Sequence, residues 1–343
     1  MTDTPRNSGV FVSIFGKTDV GRTRDHNEDC FLVADLTAQN ASLQPEVREH
    51  QIGPRGSLAV VADGMGGAAA GEVASEMATS TIYEHMLKLW LNDEDETPQQ
   101  FAYRLKEAVE AANAKIHAYA REHPEMRGMG TTTTAVGMLG DQIYLTQVGD
   151  SRAYLIRGKE GIQLTKDQSL MQRLVDAGEL TEEEAEQSER KNIILQALGP
   201  DARVRVDLTH QQVRRNDIIV LCSDGLSGQV TKDEIAEAVN REGRDLVGIC
   251  SDLIDLANER GGPDNITVVV ARFHGDGLKE PGDAEDVGHR VFPLLDPEST
   301  TEPVPVYKGS PPPEPESKAN VLIAGAIAAA MMAAALLFAT AGI

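Results

Sequence analysis

The sequence predicts an α+β fold in which antiparallel sheets are covered by layers of helices. Apolar, strand-like runs follow one another as hairpins, and Leu139-Gly-Asp-Gln142 is a turn signal between two of them. Helices occur in pairs after the hairpins instead of alternating strictly with strands. The longest predicted helix, Pro98–Glu122, has apolar residues at helical spacing.

The elements follow from the periodicity of the apolar residues. Strands are predicted at Val10–Lys17, Asp29–Leu36, Leu58–Ala62, Thr131–Leu139, Gln142–Gly149, Arg152–Arg157, Asp217–Ser223 and Asn265–His274. Helices are predicted at Gly71–Leu91, Pro98–Glu122, Asp233–Asn240 and Asp245–Arg260. The pattern runs without a long linker, so residues 10–274 are predicted to form one globular domain, large enough for an enzyme.

Composition excludes several classes of protein. The chain has 54 acidic against 32 basic side chains, a formal net charge of -22, which argues against nucleic acid as a partner. Its three cysteines are widely spaced, which argues against a disulfide framework or a zinc site. The polar N-terminus lacks an apolar signal core, so the main domain is expected in the reducing cytosol.

Five short acidic motifs are spread over this domain. They are Asp19-x-Gly21-x-x-Arg24-x-x-Asn27-Glu28-Asp29, Asp63-Gly64-Met65-Gly66-Gly67, Gly149-Asp150-Ser151-Arg152, Ser223-Asp224-Gly225 and Gly262-Pro263-Asp264-Asn265. Asp63, Asp150 and Asp224 each end an apolar run, and Asp264 precedes one. Ionised carboxylates at such places are costly unless positive charge compensates them. The motifs therefore predict an oxygen-rich pocket for hard divalent cations.

These residue types suit phosphoryl hydrolysis. Several aspartates without a ring of histidines favour magnesium or manganese over zinc. Two such ions can share a bridging water, lower its pKa so that hydroxide forms near neutral pH, and hold phosphate oxygens in line for attack. Arg24, just ahead of Glu28 and Asp29, is placed to bind the remaining phosphate oxygens.

Taken in order, the motifs resemble those of the metal-dependent protein phosphatases of type 2C, in particular the bacterial serine/threonine members. The resemblance covers about residues 10–273. It implies a four-layer α-β-β-α sandwich, with two antiparallel sheets flanked by helix pairs and the metals at one edge. It also implies hydrolysis of phosphoserine and phosphothreonine in protein substrates, with two paired Mn²⁺ or Mg²⁺ ions and a weaker third.

The resemblance carries roles over to particular residues. It implies that the paired metals are held by Asp29, Asp63, Asp224 and Asp264, together with the backbone carbonyl of Gly64. It implies that Glu28 acts through metal-bound water, that Arg24 binds the phosphate, and that Asp150 holds the third ion with Asp224. Asn265 is expected to order its loop by hydrogen bonding.

Each role has a simpler alternative. Asp224 before Gly225 is also ordinary turn chemistry. Arg24 could pair with Asp25 at the surface, and Glu28 could be a solvated loop residue. The run Thr131–Thr134 is interpreted as a strand signal and not as a catalytic cluster.

The general acid is left open by the sequence. Met65 stands where many eukaryotic members carry a histidine credited with that role, although bacterial members often have methionine. His26 could protonate the leaving alkoxide or be a surface histidine. An acid-rich stretch, Ser169–Leu198, here called the flap, could be mobile over the site or a static insertion. Gln168, just before it, replaces a common histidine.

Three other functions compete with protein phosphatase activity. Gly64-x-Gly66-x-x-Ala69 after a strand is formally a dinucleotide-binding fingerprint, which would indicate an oxidoreductase. A catalytically inactive, membrane-tethered phosphoprotein-binding module is a second alternative. A phosphatase that acts on a small phosphorylated metabolite is the third.

The chain changes character after the domain. Residues 275–319 are rich in Pro, Glu, Asp and Gly and are predicted to be a disordered tether. Residues 320–343 are predicted to be a transmembrane anchor, because the uncharged run Val321–Ile343 would form a helix of about 34 Å. Lys308 and Lys318 precede it, which places the catalytic domain on the cytoplasmic side of a bacterial inner membrane in a single-pass topology. Expected partners are phosphorylated proteins, including a serine/threonine kinase and its targets.

Overall fold

The computed structural model describes residues 9–67, 69–188, 190–282 and 287–294. The strands in chain order are β1 (Phe11–Asp19), β2 (Asp29–Asp35), β3 (Asn40–Ser42), β4 (Arg48–Gln51), β5 (Ser57–Met65), β6 (Gly130–Thr131), β7 (Thr133–Leu139), β8 (Gln142–Val148), β9 (Arg152–Arg157), β10 (Glu160–Gln163), β11 (Asp207–Gln212), β12 (Ile218–Cys222) and β13 (Ile266–His274). The helices are α1 (Ala70–His85), α2 (Pro98–Glu122), α3 (Leu170–Asp176), α4 (Glu182–Glu186), α5 (Asp224–Ser227), α6 (Lys232–Val239) and α7 (Leu246–Glu259).

The strands form two antiparallel sheets. Sheet I has the order β10-β9-β12-β13-β1-β4, and sheet II has the order β11-β8-β7-β5-β2-β3, with β6 paired to β5. The strands beside β5, namely β2 and β7, are both antiparallel to it. A dinucleotide-binding fold needs parallel strands joined by a helix, so the oxidoreductase interpretation of the glycine-rich turn is wrong.

Three apolar layers hold the sheets and helices together. Strand β13 illustrates them, because successive side chains of a strand point to opposite faces. Val269 and Ala271 face the layer between the two sheets, whereas Val268 and Val270 face the layer shared with α6 and α7. A third layer lies between sheet II and the pair α1 and α2, with Trp90 and Phe101 fully buried in it. The predicted α-β-β-α order of layers is therefore present.

The strands that the sequence analysis missed are short or polar edge strands. Strands β4 and β10 are the edges of sheet I, and β3 and β11 are the edges of sheet II. An edge strand has a neighbour on one side only, so it needs no continuous apolar run. The helix predicted as Gly71–Leu91 is α1 followed by a π-helical segment, Met86–Trp90.

Packed chain continues past residue 274, where the tether was predicted to begin. Leu278 is buried between the sheets. Further on, the Phe292 amide donates to the Leu208 carbonyl (2.9 Å), and the Phe292 ring packs edge-on against Tyr144. These apolar side chains pack described residues beyond 274 against the domain. The rest of the predicted tether, 295–319, and the predicted anchor, 320–343, lie outside the described residues.

Within the described ranges, no helix combines the length and the apolar character needed to cross a bilayer.

Candidate active site

Two of the predicted site residues face each other in sheet II. Asp29 begins β2 and lies directly opposite Asp63 near the end of β5. Side chains of opposed residues in an antiparallel pair share a face, with Cβ atoms about 4.5–5.5 Å apart. Like charges in this position repel, so this pair of carboxylates favours a cation.

Two more aspartates come from neighbouring strands of sheet I. Asp224 follows β12 and opens α5, while Asp264 comes just before β13, to which β12 is paired. Gly225 lets these chain segments meet, because a Cβ there would collide with the carbonyl oxygen of Asn265. Asp63 and Asp224 also act on each other's pKa. The site is therefore built where one end of sheet I meets one end of sheet II.

Hydroxyl groups from sheet I fix the first aspartate of sheet II. Ser223 Oγ and Thr267 Oγ1 each donate to Asp29 Oδ2 at 2.7 Å. Thr267 in turn lies 2.7 Å from the Thr18 hydroxyl. The second oxygen, Asp29 Oδ1, is buried and has no hydrogen-bond partner among the described residues.

Asp150 sits in a tight, braced turn between β8 and β9. The Gly149 amide donates to Gln168 Oε1 (3.1 Å), so the residue that replaces the expected histidine serves as a brace. Arg152 makes a bidentate ion pair with Asp167, with contacts of 2.7 to 3.1 Å. Asp150 Oδ1 is buried and lacks a partner within the described part of the chain.

Asn265 holds the N-terminal loop against the site. Its Oδ1 accepts from the Glu28 amide (2.8 Å), and its Nδ2 donates to the carbonyls of Val20 (3.0 Å) and His26 (2.9 Å). The expectation that Asn265 orders its loop is confirmed. His26 itself is exposed, as expected for a surface histidine.

Arg24 reaches the site through the loop that Asn265 holds. Its Nη2 donates to Asp264 Oδ2 at 2.7 Å, and the side chain is half-exposed. The partner of Arg24 is thus a site carboxylate and not Asp25. The contact raises the pKa of the Arg24 guanidinium, mainly through the hydrogen bond to Asp264.

The carboxyl groups raise one another's pKa. Burial, and then the charges of Asp224 and Asp264, raise the pKa of Asp29 to about 7, although its two hydroxyl partners act to lower it. Burial, followed by Asp29, Asp224 and Asp150, raises the pKa of Asp63 well above its ordinary value. Burial and then Asp224 raise the pKa of Asp150 to about 7. These mutual effects show that the motifs meet in one electrostatic cluster.

The carboxylate oxygens of the cluster are suitable ligands for a divalent cation, but their side chains do not converge on one point as metal ligands do. Among the described residues, no three or more His, Cys, Asp or Glu side chains converge as they would on a bound ion. Two of the carboxylates instead use other partners: Asp264 uses Arg24, and Asp29 uses two hydroxyls. Two buried oxygens, on Asp29 and Asp150, still lack partners within the described chain. Hard oxygen donors with unsatisfied negative charge are the chemistry that Mg²⁺ and Mn²⁺ need.

The flap is attached to the site at both ends. The amide of Gln168, just before the flap, donates to the carbonyl of Gly149 (2.8 Å), and Leu198 exchanges backbone hydrogen bonds with Thr131 (2.8 and 3.1 Å). Helices α3 and α4 lie between these attachments. Burial, and then the charge of Asp264, raise the pKa of Asp224, and the charge of Lys191, within the flap, acts weakly to lower it. The flap therefore borders the carboxylate cluster.

The cysteines do not supply a nucleophile. Cys222 and Cys250 are buried, and Cys30 is partly buried. Burial raises the pKa of Cys30 to about 11 and that of Cys222 to about 12. Thiols with such pKa values carry almost no thiolate at neutral pH.

Comparison with known proteins gives the class of this fold and site. The family model for protein phosphatase 2C matches residues 37–261. The chain is 42% identical over 214 residues to serine/threonine protein phosphatase PstP of Mycobacterium tuberculosis, covering 62% of this chain and 40% of PstP. It is 38% identical over 257 residues to serine/threonine phosphatase stp of Listeria monocytogenes, covering 74% of this chain and 93% of stp.

A solved structure agrees with these matches. The catalytic domain of PstP in complex with 2 manganese ions superposes with a TM-score of 0.61 at 34% identity, covering 77% of this chain and 99% of that one. The chain therefore belongs to the protein phosphatase 2C family, which confirms the predicted enzyme class of serine/threonine protein phosphatase. Arg24, Asp29 and Asp264 lie outside residues 37–261, so their placement rests on the strand register and contacts described above.

Proposed function

We propose that this chain hydrolyses phosphoserine and phosphothreonine in protein substrates and depends on Mn²⁺ or Mg²⁺. One observation carries the proposal: aspartates from both sheets meet in one partly buried cluster in which two buried carboxylate oxygens have no partner among the described residues. The manganese in the PstP complex belongs to that protein and supports the choice of ion here.

The proposed ligands of the paired ions are Asp29, Asp63, Asp224 and Asp264, with the Gly64 carbonyl. A pair of divalent ions supplies Lewis-acid activation of water and neutralisation of phosphate charge. The Gly64 position is crowded: its amide donates to the Glu28 carbonyl (3.1 Å), and a Cβ would collide with neighbouring backbone. This contact fixes the backbone from which the Gly64 carbonyl projects.

Asp150 is proposed to hold a weaker third ion together with Asp224. The two carboxylates interact strongly enough that Asp224 raises the pKa of Asp150. Gln168 and Gly149 brace the turn that carries Asp150, so this carboxylate is held near the cluster without entering the Asp29–Asp63 pair.

Arg24 is proposed to orient the phosphate. Only its Nη2 is used in the contact with Asp264, and its remaining donors have no partner among the described residues. A guanidinium can therefore contact Asp264 and phosphate oxygens together. Burial raises the pKa of Glu28, and the charge of its neighbour Arg24 acts to lower it. Glu28 is proposed to order water at the cluster.

The test is phosphate release from matched phosphoserine, phosphothreonine and phosphotyrosine peptides, with Mn²⁺ and with excess chelator. We expect hydrolysis of the first two only when the metal is present. Full activity in chelator would contradict the metal mechanism. Hydrolysis restricted to small phosphoesters would favour a metabolite phosphatase, and peptide binding without turnover would favour an inactive binding module.

Location at a membrane is proposed from the sequence alone. The uncharged run Val321–Ile343 and the lysines at 308 and 318 support a single span with the catalytic domain in the cytoplasm of a bacterial cell. Such an anchor would favour membrane-bound phosphoproteins as substrates, including a kinase and its targets. Alkaline carbonate extraction tests it: an integral span stays in the membrane pellet, and release of the full chain would overturn the anchor.

A further inference from the structure

A cavity beside the aspartates has no part in the chemistry proposed above. Its volume is about 380 Å³, within the usual size range of ligand pockets. It lies between the end of β5, the returning part of the flap and the turn that follows it. The lining residues used below are Met65, Ile194, Leu195, Ala197, Asp201 and Arg203.

The cavity begins next to the carboxylate cluster. Met65 lines it and is two positions after Asp63 in β5. Residues two apart in a strand point to the same face, with a rise of about 3.3 Å per residue. The Met65 wall is therefore about 7 Å along the strand from the aspartate, the length of about two residues of an extended peptide.

The opposite wall is fixed relative to β5. Leu198, which ends the flap, exchanges backbone hydrogen bonds with Thr131, and Thr131 is paired with Gly64 in β5. The amide of Leu195 also donates to the carbonyl of Gln168 (2.8 Å). Both walls thus belong to one hydrogen-bonded unit with the strand that carries Asp63.

The walls expose more apolar than polar surface, although Asn192 and Gln196 also line them. Leu195 is 41% exposed, so part of its aliphatic surface is open to a ligand in the cavity. Asp201 and Arg203 carry opposite charges, so they add no net charge to the lining. An uncharged, apolar group is therefore the best complement.

We propose that this cavity is a subsite for an apolar side chain of the substrate peptide, one or two positions from the phosphorylated residue. The proposal rests on the proposed phosphatase function. Met65 follows Asp63 by two positions in β5, so a peptide with its phosphate at the cluster can place a neighbouring side chain in the cavity within that length.

The test uses phosphothreonine peptides that differ only in having Leu, Ala or Asp at the two positions on either side. We expect the full-length enzyme to prefer Leu over Asp at one of these positions by about tenfold in kcat/KM, through KM. Leu195→Ser and the cavity-filling Ala197→Met should each remove that preference by raising KM for the Leu peptide. Ile193→Ser is the matched control, since Ile193 is 42% exposed in the same flap but does not line the cavity.

The outcomes separate the subsite from the function on which it rests. If the wild type hydrolyses para-nitrophenyl phosphate and also hydrolyses all the peptides with the same kcat/KM as one another, the subsite is overturned while the phosphatase function stands. Equal loss of preference in Ile193→Ser would also overturn it, because the effect would belong to the flap as a whole. A wild type that hydrolyses neither the small ester nor any peptide would overturn both.

Discussion

The hydroxyl of Ser223, in sheet I, donates a hydrogen bond of 2.7 Å to the buried carboxylate of Asp29, in sheet II. These residues are 194 positions apart in the chain. The bond joins the two sheets at the point where the aspartates meet. It uses one oxygen of Asp29 and leaves the other, Oδ1, without a partner in the described part of the molecule.

Removing that hydroxyl should weaken metal binding without removing a proposed ligand. In Ser223→Ala, Asp29 loses a bond that lowers its pKa, so the proton competes better with the metal. Partners of ligands typically contribute about 10- to 100-fold to affinity, and we expect a loss in that range for Mn²⁺ by calorimetry at neutral pH. Ser251→Ala is the control, because Ser251, on α7, accepts a hydrogen bond from Lys17, on β1, away from the cluster. An unchanged affinity for Mn²⁺ in Ser223→Ala would show that Ser223 does not support the metal site.

The metal-free protein should become less stable as the pH rises from 5 to 7. Asp29 has a folded-state pKa of about 7 against an ordinary value of 3.8, so the folded state binds more protons than the unfolded state in this window. The free energy of unfolding then falls with rising pH and levels off above about 7. Glu234 adds stability as the pH rises, because the hydrogen bond with Arg260 lowers its pKa from 4.5 to about 2. That gain is complete once the pH is above 4.5, so it does not change the slope between pH 5 and 7.

Denaturant unfolding at several pH values measures this effect. The slope should shrink in Asp29→Asn, which is neutral at every pH, and in wild type saturated with Mn²⁺, where metal replaces the proton. A metal-free protein that gains stability between pH 5 and 7 would show that these carboxylates are not strained by burial.

Arg24→Ala should chiefly raise KM for phosphopeptides. An arginine that orients phosphate contributes in the bound ground state as well as in the transition state, and one lost charged contact corresponds to roughly a tenfold change. Arg22→Ala is a close control: Arg22 is an exposed arginine of the same loop that is held through its backbone amide. If kcat fell and KM stayed constant, Arg24 would act only in the transition state.

Phe292→Ala should destabilise the domain, although Phe292 lies beyond the boundary predicted from sequence. Its ring packs against Tyr144 and His210 and is partly buried, so we expect a loss of about 1–2 kcal/mol in the free energy of unfolding. Val291→Ala, at a side chain that is 69% exposed, should change it by less than about 0.5 kcal/mol. Equal effects would mean that residues 287–294 do not pack on the domain in solution.

The central strands and the aspartates at their ends could be predicted from the sequence, because apolar runs and acidic turns are local signals. The support of those aspartates could not. Thr267, the second donor to Asp29, lies 238 positions away from it, and a lone Ser or Thr in a strand has no distinctive pattern. Only the packing of sheet I, with β12 and β13, against β2 of sheet II brings these hydroxyls to Asp29.

The predicted end of the domain differed from the structure for a similar reason. Proline- and acid-rich composition after residue 274 predicts a disordered segment. Two isolated apolar residues, Leu278 and Phe292, nevertheless pack against the folded core. Single apolar residues produce no periodic pattern in the sequence, so this packing could not be predicted.

Calorimetric titration of Mn²⁺ into the metal-free full chain tests the central claim most directly. If the cluster is a paired-metal site, the wild type binds two ions, and Asp63→Asn loses more than the roughly 100-fold expected for a residue that only supports a ligand. If Asp63→Asn binds Mn²⁺ with wild-type affinity and stoichiometry, the aspartates are not the metal site and the proposed mechanism is wrong.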